Sequence, residues 1–138
     1  MRITISIFLF LLFSATMKAP TNTRLIIPAG VVIDPYVKLR YAVGMVESRN
    51  DDSAVNRLEM AHGRYQIRPI RLQDYFERTG IRYTLADMHD SVKAETVITY
   101  YIHSFGVYNQ DKFILSWNCQ SKEYLAKVKK YLAKSFDN

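Results

Sequence analysis

Residues 47–67 read ESRNDDSAVNRLEMAHGRYQI, and this stretch decides how the chain is interpreted. Before it, apolar residues recur at helical spacing, at Tyr36, Leu39, Val43 and Val46. Glu47 follows Val43 by four positions, so we expect its carboxylate on the core side of a helix end. A polar segment follows, and the chain returns through Gly63 to Ile67. A buried acid that faces a polar cleft stays protonated near neutral pH and can protonate a leaving oxygen.

The size and composition indicate one folded domain. The chain has 138 residues, of which 49% are hydrophobic and 23% are charged. These values are typical of a globular protein and argue against a disordered chain. Cys119 is the only cysteine, so an internal disulfide is excluded and stability must come from core packing.

The N-terminus has the pattern of a secretory signal. Arg2 precedes an apolar run over residues 3–13, which is shorter than the ~20 residues that a membrane-spanning helix needs. We predict a signal peptide over residues 1–19 and a lead-in over residues 20–33. Export to the periplasm, the cell wall or the medium follows, with no stable membrane span after signal removal. An uncleaved anchor or a buried strand is the alternative.

The net charge favours an anionic partner. The formal charge is +6, and two of the positive charges lie in residues 1–19, which contain no acid. A basic exported protein suits the cell wall or a membrane surface. Nucleic acid would match the charge but not the export, so we expect no nucleic-acid partner. Five lysines decorate the last predicted helix, where a solvated face with weak wall or lipid attraction is expected.

Periodicity and capping signals predict a mainly α, single helical domain over residues 34–138. Helices are predicted to begin at Asp34-Pro35, Pro69, Asp90 or Ser91, Asp111 and Ser121, and Thr84 is predicted to cap one further turn. Between the first two helices, residues 48–63 are polar and are expected to form an irregular loop with a small hairpin. The segment before Asp34 contains Pro28 and Gly30, which disfavour a helix.

Four motifs resemble those of the lytic transglycosylases, a group related to goose-type lysozyme within the lysozyme-like superfamily. Glu47-Ser48, the Ala-x-Asn at 54–56 and GRYQI at 63–67 are similar to the family's Glu-Ser and Gly-Leu-Met-Gln-Ile signature. SWN at 116–118 resembles its Ala-Tyr-Asn motif. YLAKV at 124–128 resembles its closing Tyr-Val-x-x-Val helix. The resemblance covers roughly residues 34–133, in the family's order.

The resemblance implies a role for each matching position. Glu47 would be the single acid/base, and Tyr124 would lie beside it. The implied substrate-binding residues are Ser48, Gly63, Tyr65, Gln66, Ile67, Trp117, Asn118 and Tyr124. Ser48 would bind near the scissile sugars or orient the acid, and Gly63 would let the glycan approach the backbone. Three of these residues have a structural alternative. Gln66 would stabilise the loop through its amide, and Tyr124 would be a core tyrosine. For Trp117, packing in the core is slightly preferred over stacking on a sugar.

The implied reaction cleaves the β-1,4 bond between N-acetylmuramic acid (MurNAc) and N-acetylglucosamine (GlcNAc) and closes a 1,6-anhydro ring. Peptidoglycan glycan strands would be the partner, the protein would act as a monomer, and neither a cofactor nor a metal would be needed. This route uses one carboxylate, whereas most glycosidases use two. If Glu59, or less readily Asp51 or Asp52, positions a water, the protein is a hydrolytic muramidase instead.

Departures from the family pattern leave open the interpretation that the protein has no catalytic activity. Arg64-Tyr65 stands where Leu-Met is usual, and Cys119 follows Asn118 where a small, Gly-rich turn is usual. A wall-binding protein that retains the fold without turnover would explain them. A basic helical nucleic-acid binder is a further rival, and a thiol nucleophile at Cys119 is a weak one. The three histidines have no metal-binding spacing.

Overall fold

The structure is a computed structural model that describes residues 34–134, with only the backbone described at Val107. The predicted signal peptide (1–19) and lead-in (20–33) lie outside the described residues. The described chain is mainly helical with a small two-stranded sheet, which confirms the predicted mainly α class. Its α-helices are α1 (Val37–Glu47), α2 (Pro69–Thr79), α3 (Ser91–Phe105), α4 (Gln110–Trp117) and α5 (Lys122–Lys134).

The first helix begins later than the Asp34-Pro35 signal predicts. Its N-cap is Tyr36, and Asp34 accepts a hydrogen bond from the Tyr36 backbone N–H at 2.8 Å. The other Asp34 oxygen binds the guanidinium of Arg40 at 2.6 Å, and Arg40 also donates to Thr99 on α3. Asp34 therefore organises a turn ahead of the helix and pairs with a buried arginine, which the capping rule does not anticipate.

Most other helix ends agree with the local signals, and α4 begins at Gln110, one residue before the predicted Asp111. Pro69 lies in the first turn of α2, and Gly80 ends this helix with a left-handed φ of 74°. Asp90 accepts hydrogen bonds from two backbone N–H groups at the start of α3. Ser121 Oγ accepts from the Tyr124 N–H at 3.1 Å, so Ser121 caps α5 as predicted.

The small hairpin predicted within residues 48–63 is confirmed. Strands β1 (Val55–Asn56) and β2 (Ala61–His62) pair antiparallel, with Val55 opposite His62. An isolated bridge then joins His62 to Ile67, so the chain turns back on itself twice in quick succession. Short 3-10 helices at Ala86–His89 and Val107–Asn109 precede and follow α3.

The core forms around α3, whose wide apolar face is buried as the sequence predicts. Buried residues of α3 include Val97, Ile98, Tyr101 and Ile102. Helix α1 packs against α5, and α4 packs against both α3 and α5. This arrangement brings the end of α1, the GRYQI segment and the start of α5 together. Within residues 34–134, no helix combines the length and apolar character that crossing a bilayer requires.

Candidate active site

Glu47 is the last residue of α1 because the chain reverses immediately after it. The backbone N–H groups of Ser48 and Asn50 both donate to the Gly44 carbonyl at 3.0 Å. Arg49 and Asn50 adopt left-handed φ angles of 61° to make this turn. A Cβ on Gly44 would lie 2.0 Å from Asn50 Oδ1, so a glycine here makes room for the turn. The Glu47 side chain is thereby fixed at a helix end.

Tyr124 holds the Glu47 carboxyl group. Its hydroxyl donates a 2.6 Å hydrogen bond to Glu47 Oε1, across an interval of 77 residues. Among the described residues, Glu47 Oε2 has no hydrogen-bond partner. Burial raises the pKa of Glu47 from 4.5 to about 7, against the opposing effects of the Tyr124 hydrogen bond and the Arg68 charge. Glu47 is therefore partly protonated at neutral pH and can donate a proton.

Two cavities border Glu47, one on either side. The larger, about 590 Å³, lies between the end of α1 and α5, and we name it the basic groove. The smaller, about 20 Å³, has room for about one water. We name it the loop-side cleft, and its lining is Glu47, Glu59, Gln66, Arg68, Arg71, Trp117 and Asn118. The acid is thus reached from both directions.

Three of the predicted substrate-binding residues line the loop-side cleft together with Glu47: Gln66, Trp117 and Asn118. Gln66 has a left-handed φ of 48°, and its amide donates to the Gly63 carbonyl at 2.9 Å. This amide stabilises the loop. The Trp117 ring is only 4% exposed, and its N–H donates to the Tyr65 carbonyl at 3.3 Å. Trp117 is therefore a core residue whose edge reaches the cleft, in line with the alternative that it packs in the core.

Ser48 lines the basic groove, but its hydroxyl is occupied by the protein. It donates to the Arg64 carbonyl at 2.9 Å and accepts from the Asp51 N–H at 3.0 Å. These bonds tie the end of α1 to the GRYQI segment. Ser48 therefore positions the chain on both sides of Glu47.

Three predicted substrate-binding residues have other roles. Tyr65 is 1% exposed and Ile67 is 0% exposed, and neither lines the two cavities that border Glu47. Tyr65 lines a separate cavity of about 390 Å³. Gly63 was expected to admit the glycan, but a Cβ there would lie 1.9 Å from the Met88 carbonyl oxygen. The close approach at Gly63 is by the protein's own backbone, and its φ of 72° also favours glycine.

The acidic residues of the loop divide into two groups. Asp52 forms a two-point ion pair with Arg64, with 2.6 Å between Asp52 Oδ2 and Arg64 Nη2. Asp51 accepts two hydrogen bonds from Ser53. Both aspartates therefore hold the loop, and neither lines the loop-side cleft. Glu59 lines the loop-side cleft with Glu47 and lies 3.9 Å from Arg68, with its side chain 59% exposed.

Sequence reasoning missed two arginines of the loop-side cleft, Arg68 and Arg71. They lie three residues apart at the start of α2, a spacing that places both on one helix face. Arg71 is partly buried: its guanidinium lies 4.9 Å from the Trp117 ring centroid and donates to the Ser116 carbonyl. The position of Arg68 directly after the GRYQI segment was a sequence signal that it could belong to the site. The direction in which its side chain points depends on how α2 packs, which the sequence does not show.

Two of the three histidines lie together beside the hairpin. Among residues 34–134, no cluster of three or more His, Cys, Asp or Glu side chains is arranged to hold a metal ion. His62 and His89 instead share a 3.0 Å hydrogen bond, and His89 also bonds the Asp52 carbonyl. The pair joins the hairpin to the 3-10 helix Ala86–His89. Cys119 is exposed and unpaired.

The chain matches no protein-family model, no curated protein and no solved structure. What the site can do chemically therefore follows from its own residues and geometry. It offers one carboxyl group that titrates near neutral pH, one tyrosine that orients this group, and an open groove beside it.

Proposed function

We propose that this protein is a peptidoglycan lytic transglycosylase of the lysozyme-like fold, which cuts the MurNAc–GlcNAc bond with Glu47 as its acid/base. One observation carries the proposal: a half-buried glutamate at a helix end, with a pKa of about 7, stands between two cavities. A general acid works best when its pKa lies near the working pH. The hairpin after the helix that ends in Glu47, and the motif order described above, support the same assignment.

The proposed chemistry needs only one carboxyl group. Glu47 gives its proton to the glycosidic oxygen, and the bond from MurNAc C1 to that oxygen breaks, leaving its electron pair on GlcNAc. The acetamido oxygen of MurNAc bonds to C1 and stabilises the positive charge. The Glu47 carboxylate then removes the proton from the C6 hydroxyl, whose oxygen attacks C1 and displaces the acetamido oxygen. No water is consumed, and the product carries a 1,6-anhydro ring.

Tyr124 and the loop-side cleft have supporting roles in this scheme. The Tyr124 hydrogen bond to Oε1 fixes the carboxyl group and leaves Oε2 as the oxygen that can exchange the proton with substrate. Asn118 and Arg68 line the cleft beside Glu47 and can bind sugar hydroxyl or acetamido groups. Export to the wall and action as a monomer belong to the same proposal.

A hydrolytic muramidase is the second candidate, and a specific observation favours it. Glu47 and Glu59 line the same small cleft, which has room for about one water. A water held between two carboxyl groups is what an inverting glycosidase requires. Glu59 would then be the base.

Digestion of purified sacculi tests both candidates. The full chain, Glu47→Gln and Glu59→Gln are incubated with sacculi, and the released muropeptides are read by mass spectrometry. Anhydro-muropeptides that require Glu47 and not Glu59 support the transglycosylase. Reducing-end products that require both acids support the muramidase. Glu77→Gln on the exposed face of α2 is the matched control. Sugar binding without cleavage by the folded chain would favour a non-catalytic wall-binding protein.

A further inference from the structure

The basic groove differs in charge from an ordinary sugar-binding cleft. Its floor contains the apolar side chains of Met45, Val46 and Tyr131. Its rim carries four cations, Arg49, Lys127, Lys130 and Lys134. Among the described lining residues the only acid is Glu47, whose raised pKa leaves it partly neutral. Glycan hydroxyl and acetamido groups are uncharged, so they give no reason for this concentration of positive charge.

The cations on the rim are available to a ligand. Within residues 34–134, the side chains of Arg49 and Lys130 form neither a hydrogen bond nor an ion pair. Lys127 forms a 2.8 Å pair with Glu123, but both side chains are mostly exposed, so this pair is weak. Lys134 lies 6.0 Å from the Tyr131 ring centroid. An anion in the groove could therefore gain contacts without breaking a strong interaction.

Arg49 occupies a backbone conformation that favours glycine. Its φ is 61°, in the left-handed region, which other L-residues adopt at a cost. Glycine would make the same turn without strain, yet an arginine stands there at the mouth of the groove. The turn after α1 requires this φ but does not require an arginine side chain, and a strained residue of this kind is a reason to look for function.

We propose that the basic groove is a carboxylate-binding subsite that takes the stem peptide attached to the glycan strand. This inference rests on the proposed function, because it assumes that a MurNAc residue is bound at Glu47. The lactyl group of MurNAc carries the stem peptide, whose carboxylates are anionic groups close to the scissile bond. Lysine ammonium groups can serve carboxylates at several positions because they act as mobile point charges. The apolar floor suits the alanine methyl groups.

The test compares two ligands that differ only in charge. A disaccharide–tetrapeptide muropeptide and the same molecule with its carboxylates converted to amides are titrated into full-chain Glu47→Gln by calorimetry. We expect amidation to weaken binding by about tenfold or more, with a difference that shrinks at high salt. Equal affinity of the two ligands would overturn the proposal.

Lysine variants test whether the charge-dependent binding takes place in the basic groove. In the Glu47→Gln background, Lys127→Gln with Lys130→Gln should lower affinity for the charged muropeptide by about tenfold and leave the amidated form unchanged. Lys112→Gln with Lys122→Gln is the matched control, because it also removes two charges from exposed positions, and both lie outside the groove lining. Circular dichroism of each variant checks folding. An equal loss of affinity in the test and control variants would overturn the assignment of the groove as the carboxylate-binding subsite.

A parallel digestion separates failure of this inference from failure of the proposed function. The unsubstituted chain is given native sacculi and sacculi with amidated stem peptides. Equal cleavage of both overturns the peptide subsite and leaves the transglycosylase proposal standing. Cleavage of neither, by folded protein, rejects the proposed function itself. Binding to anionic vesicles that depends on Lys127 and Lys130, without muropeptide binding, would reassign the groove to a membrane surface and overturn the inference.

Discussion

The two sides of Glu47 use their polar groups in opposite ways. In the loop-side cleft, the amide of Gln66, the N–H of Trp117 and the guanidinium of Arg71 all donate to backbone carbonyls of the protein. In the basic groove, Arg49 and Lys130 have no such partner within the described residues. The loop-side cleft is small and the basic groove is large.

This difference in bonding separates side chains that stabilise the site from side chains that are available to bind a ligand. A donor already bonded inside the protein gains little from a ligand, because the ligand must replace an existing hydrogen bond. Unpaired cations beside a cavity lose no such bond. We therefore expect mutations of the bonded donors on the loop side to change stability, and mutations of the unpaired cations in the groove to change ligand binding.

Gly63→Ala should give the largest effect on the loop side. An added Cβ would meet the Met88 carbonyl oxygen at 1.9 Å, and the φ of 72° adds strain. We expect a loss of about 3–5 kcal/mol in the free energy of unfolding, measured by urea denaturation.

Gly80→Ala is the control, because its φ is 74° and nothing lies within 4 Å of the added Cβ. It should cost only about 1–2 kcal/mol. Similar losses for both glycines would mean that the contact with Met88 is unimportant.

Glu47→Gln should stabilise the protein at alkaline pH. The unfolded chain ionises Glu47 near 4.5 and the folded chain near 7, so its contribution to stability is present below 4.5 and lost as the pH rises through 7. The substitution should raise the free energy of unfolding by about 3 kcal/mol at pH 8 and by about nothing at pH 4.

Thermal denaturation across this pH range would measure the effect, with Glu77→Gln on the exposed face of α2 as the control. A gain that did not depend on pH would show that the carboxyl group titrates normally in the folded protein.

Tyr124→Phe should sharpen the assignment of Glu47 as the acid. Removing the hydroxyl removes a contact that lowers the pKa of Glu47, so this pKa should rise. The alkaline limb of kcat/KM on sacculi should move to higher pH, and the free energy of unfolding at pH 8 should fall by about 2 kcal/mol. An unchanged pH profile in an active variant would argue that Glu47 does not donate the proton.

Arg49→Gly should give the smallest change and the clearest contrast between the two sides. Relief of the left-handed backbone should raise the free energy of unfolding by about 1 kcal/mol, while loss of the cation weakens ligand binding in the groove. Arg49→Ala loses the same charge and keeps the strain, so it should weaken binding without the gain in stability. Equal thermal stability of the two variants would contradict the account of strain.

Much of the fold could be predicted from local signals. The cap at Asp90, the stop at Gly80 and the cap at Ser121 each involve hydrogen bonds or φ angles within a few residues, which sequence patterns report well. The predicted start of α1 was two residues too early, and Asp34 instead bonds the Tyr36 N–H and pairs with Arg40, which also contacts α3. Local rules contain no information about that neighbour.

The site itself was only partly predictable. Glu47, Gln66, Trp117 and Asn118 do surround one cleft, as the resemblance implied. Tyr65 and Ile67, assigned to substrate by the same resemblance, are buried. In the GRYQI segment buried residues alternate with partly exposed ones, and Gly63 lies against Met88 of the 3-10 helix Ala86–His89. The sequence pattern does not say which set of residues faces the core.

By itself, the sequence determined the helical class and most helix ends and pointed to Glu47 as the candidate acid, because these depend on periodicity and on residues close in the chain. The resemblance placed Tyr124 beside Glu47, and the tertiary structure added the hydrogen bond between them. Only the tertiary structure decided that Arg68 and Arg71 complete the loop-side cleft and that lysines of α5 face a groove beside the acid. The physical reason is that burial and charge at Glu47 come from α2 and α5, which are distant in sequence and reach the acid only when the helices pack.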